Sequence, residues 1–450
     1  MKYQEFFKGK KITLLGLGLL GRGVGDAKFL AKYAKELVVT DLKTEAELKA
    51  SLKKLSKFKN IKFVLGHHNL SDFIKTDMVI KGAGVSLNSP FIEEALRNDV
   101  PVHMSTAIFA KFFINQFGGK IVGITGTRGK TTVTHLIYHM LKEAGRNAII
   151  GGNIQGVSTL AMLEKISPQS IAVLELDSWQ LQGFEYEKIS PQISIFTTFF
   201  PDHMNYYKDN MKKYFLDKAQ IFLWQSKTDY LILGEQTAPK IKQFRKRIKS
   251  KIIIARKKDC QNLKTVLMGE HNKSNIACAI KAAVALKIPP LKIYKAIKNF
   301  TGVKGRLEHI KTINRVRIYN DTTSTTPEAT IAGLKALDLD LNKRIVLICG
   351  GADKGLDMNN FIREANLRAK KIILISGTGT ERIKNKFKKS PIYNSLKKAV
   401  ADAVSSTNKG DAILFSPAFA SFGMFKNEYD RGDKFNGIIK NLKIKNEYIK

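Results

Sequence analysis

A chain of 450 residues is too long for one ordinary hydrophobic core, and at roughly 100–200 residues per domain it divides into about three domains. Apolar residues at 44% and charged residues at 26% lie near the globular average, which excludes a disordered or fibrous chain. Lys and Arg outnumber Asp and Glu by 76 to 39, a formal charge of +37, but the lysines are scattered along the chain without interleaved aromatics, so a solvated surface is expected and specific nucleic-acid binding is not.

The first apolar runs, Lys11 to Leu15, Glu36 to Thr40, Ile61 to Leu65, Met78 to Lys81 and Val102 to Met104, alternate with helical stretches and predict one α/β unit. Between the first two runs lies Gly16-Leu-Gly-Leu-Leu-Gly21, and Asp41 follows about 20 residues later, a spacing that resembles a dinucleotide fingerprint. On its own this pattern does not separate a nicotinamide cofactor from a uridine diphosphate, nor either from a tight turn without ligand. The apolar run Ile12 to Leu20 is interrupted by glycines and too short to span a bilayer, so neither membrane insertion nor export is expected. His67-His68 reads as a loop feature.

A second series runs from Lys120 to Thr125 through Ala148 to Ile150, Ile171 to Leu176, Ile193 to Thr198, Tyr230 to Leu233 and Ile252 to Ala255, and predicts a larger α/β unit. Its first strand leads into Gly123-Ile-Thr-Gly-Thr-Arg-Gly-Lys-Thr-Thr132, followed by a helical pattern over Val133 to Ala144. Glycines here let backbone N–H groups close around phosphate oxygens, Lys130 supplies a charge for the β/γ-phosphates, and Thr131 places a hydroxyl on Mg²⁺. Five residues rather than four separate Gly123 from Gly129, so the strict Walker pattern is missed by one. An ATP loop in the second unit favours a nucleotide-sugar over a nicotinamide in the first. His135 and His139 share a helix face but lack the glutamate of a zinc protease, so helix packing is expected of them.

A third series, Arg315 to Tyr319, Arg344 to Cys349, Lys371 to Ser376 and Ala412 to Phe415, follows the Gly302 to Gly305 turn. Cys260, Cys278 and Cys349 lie far apart beside apolar stretches, which excludes a disulfide framework and a zinc site and agrees with a reducing cytoplasm. No internal repeat or low-complexity linker is present.

Taken in chain order, the phosphate loop, Gly151-Gly-Asn153, Glu175-Leu-Asp-Ser-Trp-Gln-Leu181, Asp202-His-Met204, Gly269-Glu-His-Asn272 with Asn275, Gly305-Arg-Leu-Glu308, Asn320-Asp321, Gly350-Gly-Ala-Asp-Lys354, and Ser416-Pro-Ala-Phe-Ala-Ser421 with Phe425-Lys-Asn427 and Arg431-Gly432 resemble the Mur ligase superfamily over nearly the whole chain. That resemblance implies an α/β fold of three domains: a Rossmann-like UDP-substrate domain over 1–108, a central P-loop ATPase-type domain with a mostly parallel sheet over 109–304, and a Rossmann-like amino-acid domain over 305–450. It implies a cytoplasmic, monomeric, ATP-dependent ligase, nearest to the branch that adds D-glutamate to UDP-N-acetylmuramoyl-L-alanine through an acyl phosphate in peptidoglycan synthesis, with ATP and one or two Mg²⁺ ions. Another Mur-type ligase adding a different amino acid, an amide ligase of the folylpolyglutamate type, or a nucleotide-binding regulator without turnover, are the alternatives.

The same resemblance distributes the site residues. Lys130, Glu175, His203 and Lys218 are the implied catalytic set, Lys218 as a lysine that reacts with CO₂ to give a carbamate, and Thr131, Glu175, His203 and Lys218 the implied metal ligands. Gly126, Thr127, Gly129, Lys130, Thr131, Thr132, Asn272, Asn275, Arg306 and Asp321 would contact the nucleotide. Gly18, Leu19, Leu20, Asp41, Gly84 and Asn153 would hold the UDP-linked substrate, and Thr325, Lys354, Ser421 and Phe422 the amino acid. The chain departs from the family twice. The usual Asn-Asp-Ser-Lys reads Asn320-Asp-Thr-Thr323, without its lysine, and a common Ser-Pro-Gly reads Gly82-Ala-Gly84, which leaves a phosphate there to backbone N–H groups.

Overall fold

The computed structural model describes residues 1–442 apart from 262, 343 and 388. The chain divides into two compact units, Met1–Leu263 with Ser274–Lys298 and Lys264–Lys273 with Asn299–Lys450. Residues 443–450, at the end of the expected third domain, lie outside the described residues.

In the first unit the opening series forms a parallel sheet of β1 (Lys11–Leu15), β2 (Glu36–Asp41), β3 (Ile61–Leu65), β4 (Met78–Lys81) and β5 (Val102–His103), ordered β3-β2-β1-β4-β5. β4 is buried throughout and β1 and β2 beyond their first residues, as strands covered on both faces must be, which is why they read as continuous apolar runs. Strand order reverses between β1 and β4, and ligands of open α/β sheets bind beyond the carboxyl ends of strands at such a reversal.

The second series forms β6 (Lys120–Thr125), β7 (Ala148–Gly152), β8 (Ile171–Glu175), β9 (Ile193–Phe196), β10 (Tyr230–Gly234) and β11 (Lys251–Ala255), all parallel, ordered β11-β10-β9-β6-β8-β7. One hydrophobic core runs from the first sheet into the second through the helix Ser105–Asn115, joining Phe29 and Leu30 to Phe109, Phe113, Leu181 and Phe184. Gly183 permits that contact, since a Cβ there would lie 2.8 Å from the Cβ of Met104. A buried ionic contact spans the same seam. Glu187, 5% exposed, meets His103 Nδ1 at 2.7 Å and accepts from Lys111 Nζ at 2.7 Å. Burial alone would raise its pKa, and these two hydrogen bonds outweigh that and hold it below the usual carboxylate value.

The second unit holds β12 (Glu308–Ile313), β13 (Val316–Asn320), β14 (Ile345–Gly350), β15 (Ala369–Ile375), β16 (Ile392–Tyr393) and β17 (Ala412–Phe415), ordered β12-β13-β17-β14-β15-β16. β12 runs antiparallel to β13, so this sheet is mixed rather than wholly parallel. The strand was not expected. Its sequence, Glu-His-Ile-Lys-Thr-Ile, carries no apolar run, because an edge strand with no buried residue needs none, and a register shift between His309 and Lys311 breaks its alternation.

Candidate functional site

The helix expected from Val133 begins three residues earlier, at Lys130, and runs to Glu143. Gly129 precedes it with φ +87°, a left-handed conformation that turns the chain from loop into helix and that a side chain would strain. A Cβ on Gly129 would overlap Asn275 Oδ1, so the structure brings Asn275 against the phosphate loop. Gly126, at φ +142°, is closed in by Thr197 and Thr198. These two threonines at the end of β9 went unnoticed in the sequence. Thr127 N–H donates to Thr198 O at 2.7 Å, Arg128 N–H to Thr198 Oγ1 at 2.9 Å, and Thr197 Oγ1 to Arg128 O at 2.6 Å. These bonds tie the loop to the residues that follow β9.

Two lysines converge on one carbonyl of this loop. Lys130 Nζ and Lys218 Nζ each lie 3.0 Å from Gly126 O, although 88 residues separate them in the chain. Lys218, on the helix Met211–Leu223, is 2% exposed and lies 4.8 Å from the Tyr214 ring centroid. Burial, followed by the neighbouring Lys130 charge, pushes its pKa down to about 7. Burial thus moves Lys218 toward the neutral amine, the state required for reaction with CO₂.

Glu175 ends β8, 4% exposed, paired in register with Ile124 of β6 and Gly152 of β7. Its carbonyl accepts from Asn153 N–H at 2.7 Å, so the expected metal and substrate residues meet through backbone. His203, in a left-handed turn after β9, packs 4.8 Å from Trp179 and 6.4 Å from Tyr214 between ring centroids. Desolvation lowers its pKa, with Lys218 and Lys130 adding to the shift against Asp202, so its imidazole is neutral at pH 7. The buried indole N–H of Trp179 has no acceptor among the described residues. No three His, Cys, Asp or Glu side chains cluster as a metal site among the described residues. Carboxylate, neutral imidazole and the Thr131 hydroxyl are nonetheless donors that suit Mg²⁺ completed by phosphate oxygens.

A cavity of about 670 Å³ opens at the strand-order reversal of the first sheet. Its wall contains Gly18, Leu19, Leu20, Asp41 and Gly84, together with Thr159, after β7, and Gln180, after β8. Asp41 does not turn both oxygens to a ligand: Oδ2 accepts from Gly18 N–H at 2.9 Å and Oδ1 from Lys43 N–H at 2.9 Å, which braces the glycine loop. Asn153 is fixed at the seam by Arg22, whose Nη1 donates to Asn153 Oδ1 at 2.6 Å. Sequence reasoning missed Arg22, Lys81 and His68, all in this wall. His68, set aside as a loop feature, meets Thr40 Oγ1 at 2.6 Å.

In the second unit, loops at the carboxyl ends of β13, β14 and β17 gather. Ala352 and Ala420 exchange backbone hydrogen bonds at 3.0 and 3.1 Å, and Ala418 N–H donates to Ser324 O at 2.9 Å. Lys354 Nζ donates to Thr325 Oγ1 at 3.0 Å, and Ser421 is buried beside exposed Phe422. Asp321 accepts from Ser324, Ser416 and Leu307 N–H at 2.6, 2.7 and 2.9 Å. Burial, only partly offset by these bonds and by Arg306, raises its pKa to about 6. Asn272 Nδ2 donates to Met268 O at 2.8 Å. Where the family lysine is missing, Thr323 Oγ1 donates inward to Gly305 O at 2.8 Å. Beside it the fully buried Arg431 donates to Thr322 Oγ1, Thr322 O and Phe419 O at 3.1, 2.8 and 3.2 Å.

A phosphate loop with two convergent lysines, beside a nucleotide-type sheet whose cavity opens at its strand reversal, defines a multidomain α/β enzyme that couples phosphate chemistry to a second substrate. Comparison with known proteins narrows the class. Residues 10–104 match the Mur ligase MurD-like N-terminal domain, 124–254 the Mur ligase middle domain and 305–419 the Mur ligase glutamate ligase domain. The chain is 37% identical, over 96% of its length and 98% of the relative's, to a UDP-N-acetylmuramoylalanine--D-glutamate ligase of Borreliella afzelii (strain PKo). It is 34% identical, over 96% and 99%, to the protein of that name from Roseiflexus sp. (strain RS-1). In fold it is similar to the crystal structure of UDP-N-acetylmuramate-alanine ligase MurC from Thermotoga maritima, at TM-score 0.62 and 18% identity over 96% of this chain and 99% of that one. The chain belongs to the Mur ligase family, and it is an ATP-dependent ligase. No helix among the described residues is long and apolar enough to cross a membrane.

Proposed function

We propose that this chain joins D-glutamate to UDP-N-acetylmuramoyl-L-alanine at the expense of ATP, in the cytoplasmic stage of peptidoglycan precursor synthesis. The observation that carries the reading is the convergence of Lys130 and Lys218 on Gly126 O, within the same unit as the cavity at the first sheet's strand reversal. The full-length relatives bearing that activity in their names support it. The substrate carboxylate oxygen attacks the γ-phosphorus and the bond to the ADP oxygen breaks, giving an acyl phosphate. The amine nitrogen of D-glutamate, having lost a proton, then attacks the acyl carbon and phosphate leaves. No side chain forms a covalent bond, so the protein acts by positioning and charge. Lys130 neutralises charge gathering on the β- and γ-phosphates, and the loop N–H groups orient them. Thr131, Glu175 and His203 would hold Mg²⁺, which supplies further charge neutralisation when bound. Lys218, near-neutral and buried, would take up CO₂ as a carbamate and so turn a buried cation into a carboxylate donor.

In the second unit Lys354, Thr325 and Ser421 would receive the two carboxylates of D-glutamate, with Phe422 at the rim. The divisions at 108 and 304 follow the same reading, as does a monomer. Phosphate release with ATP, Mg²⁺ and UDP-N-acetylmuramoyl-L-alanine is expected only on adding D-glutamate, and not with L-glutamate, L-alanine, L-lysine or no amino acid. Release with another amino acid would refute the assigned specificity while keeping the reaction. Silence with all of them would refute the reaction itself.

A further inference from the structure

Lys81 is a cation that the roles above leave unused. It ends β4 in register with Leu15 at the end of β1, and so stands at the strand-order reversal of the first sheet. It is 1% exposed, yet it lines the 670 Å³ cavity. Its Nζ donates to Val85 O at 2.9 Å and sits 3.5 Å from Gly82 O, which places the ammonium inside the turn Gly82–Val85. An ammonium carries three donors. Among the described residues the third finds no acceptor, and no carboxylate lies within ion-pair distance. Burying a cation without a counter-ion is costly, so an anionic ligand in the cavity is the natural completion of its shell.

The surroundings indicate which anion. In the glycine loop after β1, which has no cationic side chain before Arg22, Gly16 N–H donates to Thr40 O at 2.8 Å and Gly18 N–H to Asp41, so both are committed within the protein. In the facing turn, Gly82-Ala-Gly84 has no hydroxyl. We propose that Lys81 binds the diphosphate of the nucleotide-linked substrate, as the side-chain cation of a turn that otherwise offers only backbone. The proposal rests on the reading under Proposed function for the identity of the nucleotide. Burial pushes the Lys81 pKa down to about 8, against the pull of Asp177 and Asp217, and a bound diphosphate returns it upward. Arg22, Asp26, Asp41, Lys43 and His68 are the other charged or titratable groups of the wall. His68 is held below its ordinary value and so is neutral throughout the range of the test.

The test is calorimetric titration of the full chain with UDP and with uridine, for the native protein, Lys81→Met and Lys81→Arg. Lys81→Met is expected to weaken UDP about tenfold or more while leaving uridine and the KM for ATP unchanged, and Lys81→Arg to restore most of the loss. Equal UDP affinity in native protein and Lys81→Met overturns the proposal, as does an equal loss for uridine, which would mean general damage to the cavity. If Lys81→Met does not fold, the native protein still decides. Between pH 7.5 and 9 the charged fraction of a group titrating near 8 falls about eightfold, and UDP affinity relative to uridine is expected to fall with it. A flat ratio overturns the proposal. D-glutamate-dependent phosphate release together with UDP binding indifferent to Lys81 refutes this inference alone. Lys81-dependent UDP binding without such release refutes only the reaction.

Discussion

Replacing Gly129 by alanine tests whether the phosphate loop is as closely packed as its geometry states. Two costs add. The left-handed φ of +87° disfavours any L side chain by about 1–2 kcal/mol. The new methyl would overlap Asn275 Oδ1 and lie 3.2 Å from Asn275 Cγ. Carbon contacts are optimal near 3.5–4.0 Å, so Asn275, only 6% exposed, must shift by on the order of 1 Å, an overpacking cost of about 1–3 kcal/mol. Gly118 is the control, with φ +61° and nothing within 4 Å of its Cβ position. Urea denaturation is expected to show Gly118→Ala losing about 1 kcal/mol and Gly129→Ala about 2–5. The double variant Gly129→Ala/Asn275→Ala should recover the steric part, a coupling of about 1–3 kcal/mol. Titration with ADP should weaken sharply for Gly129→Ala and not for Gly118→Ala. A Gly129→Ala cost no greater than that of Gly118→Ala, or no coupling to Asn275, would refute the reasoning.

Lys218→Met should leave the far-ultraviolet circular dichroism unchanged and lower kcat by about 10²–10³-fold; full activity would remove Lys218 from the reaction. Asp321 titrates near 6 in the folded chain and near 3.8 unfolded. The folded state thus binds the extra proton between these values, and this group's contribution to stability falls by about 3 kcal/mol as pH rises from 3.8 to 6 and is constant above. Asp321→Asn should therefore gain stability over the native chain between pH 4.5 and 7 in urea titrations, and a pH-independent difference would contradict it. Arg431→Lys keeps a charge but loses the three-point fork on Thr322 and Phe419, and should lower stability by about 1.5–3 kcal/mol. A loss below about 1 kcal/mol would show that the buried guanidinium is not what ties these loops together.

Much of this molecule was legible in the chain because parallel sheets covered on both faces demand uninterrupted apolar strands. β1, β4, β6 and β17 fall where the apolar runs lie, and the phosphate loop declares itself by glycines placed where a side chain would collide. β12 stayed hidden because an edge strand with one dry neighbour needs no apolar run. Sequence by itself also determined which residue types are available: Lys130, Thr131, Glu175 and His203 carry chemistry that their motifs announce. Only the tertiary structure decided what those residues feel. Lys218 becomes a near-neutral amine because a helix 88 residues beyond Lys130 returns it to the same carbonyl, and Lys81 becomes a buried cation because β4 lies beside β1 at the strand reversal. Asp41, a substrate-binding residue by its motif, accepts with each oxygen from a backbone N–H group. Charge state and hydrogen-bond commitment depend on neighbours distant in sequence, and those are settled by packing.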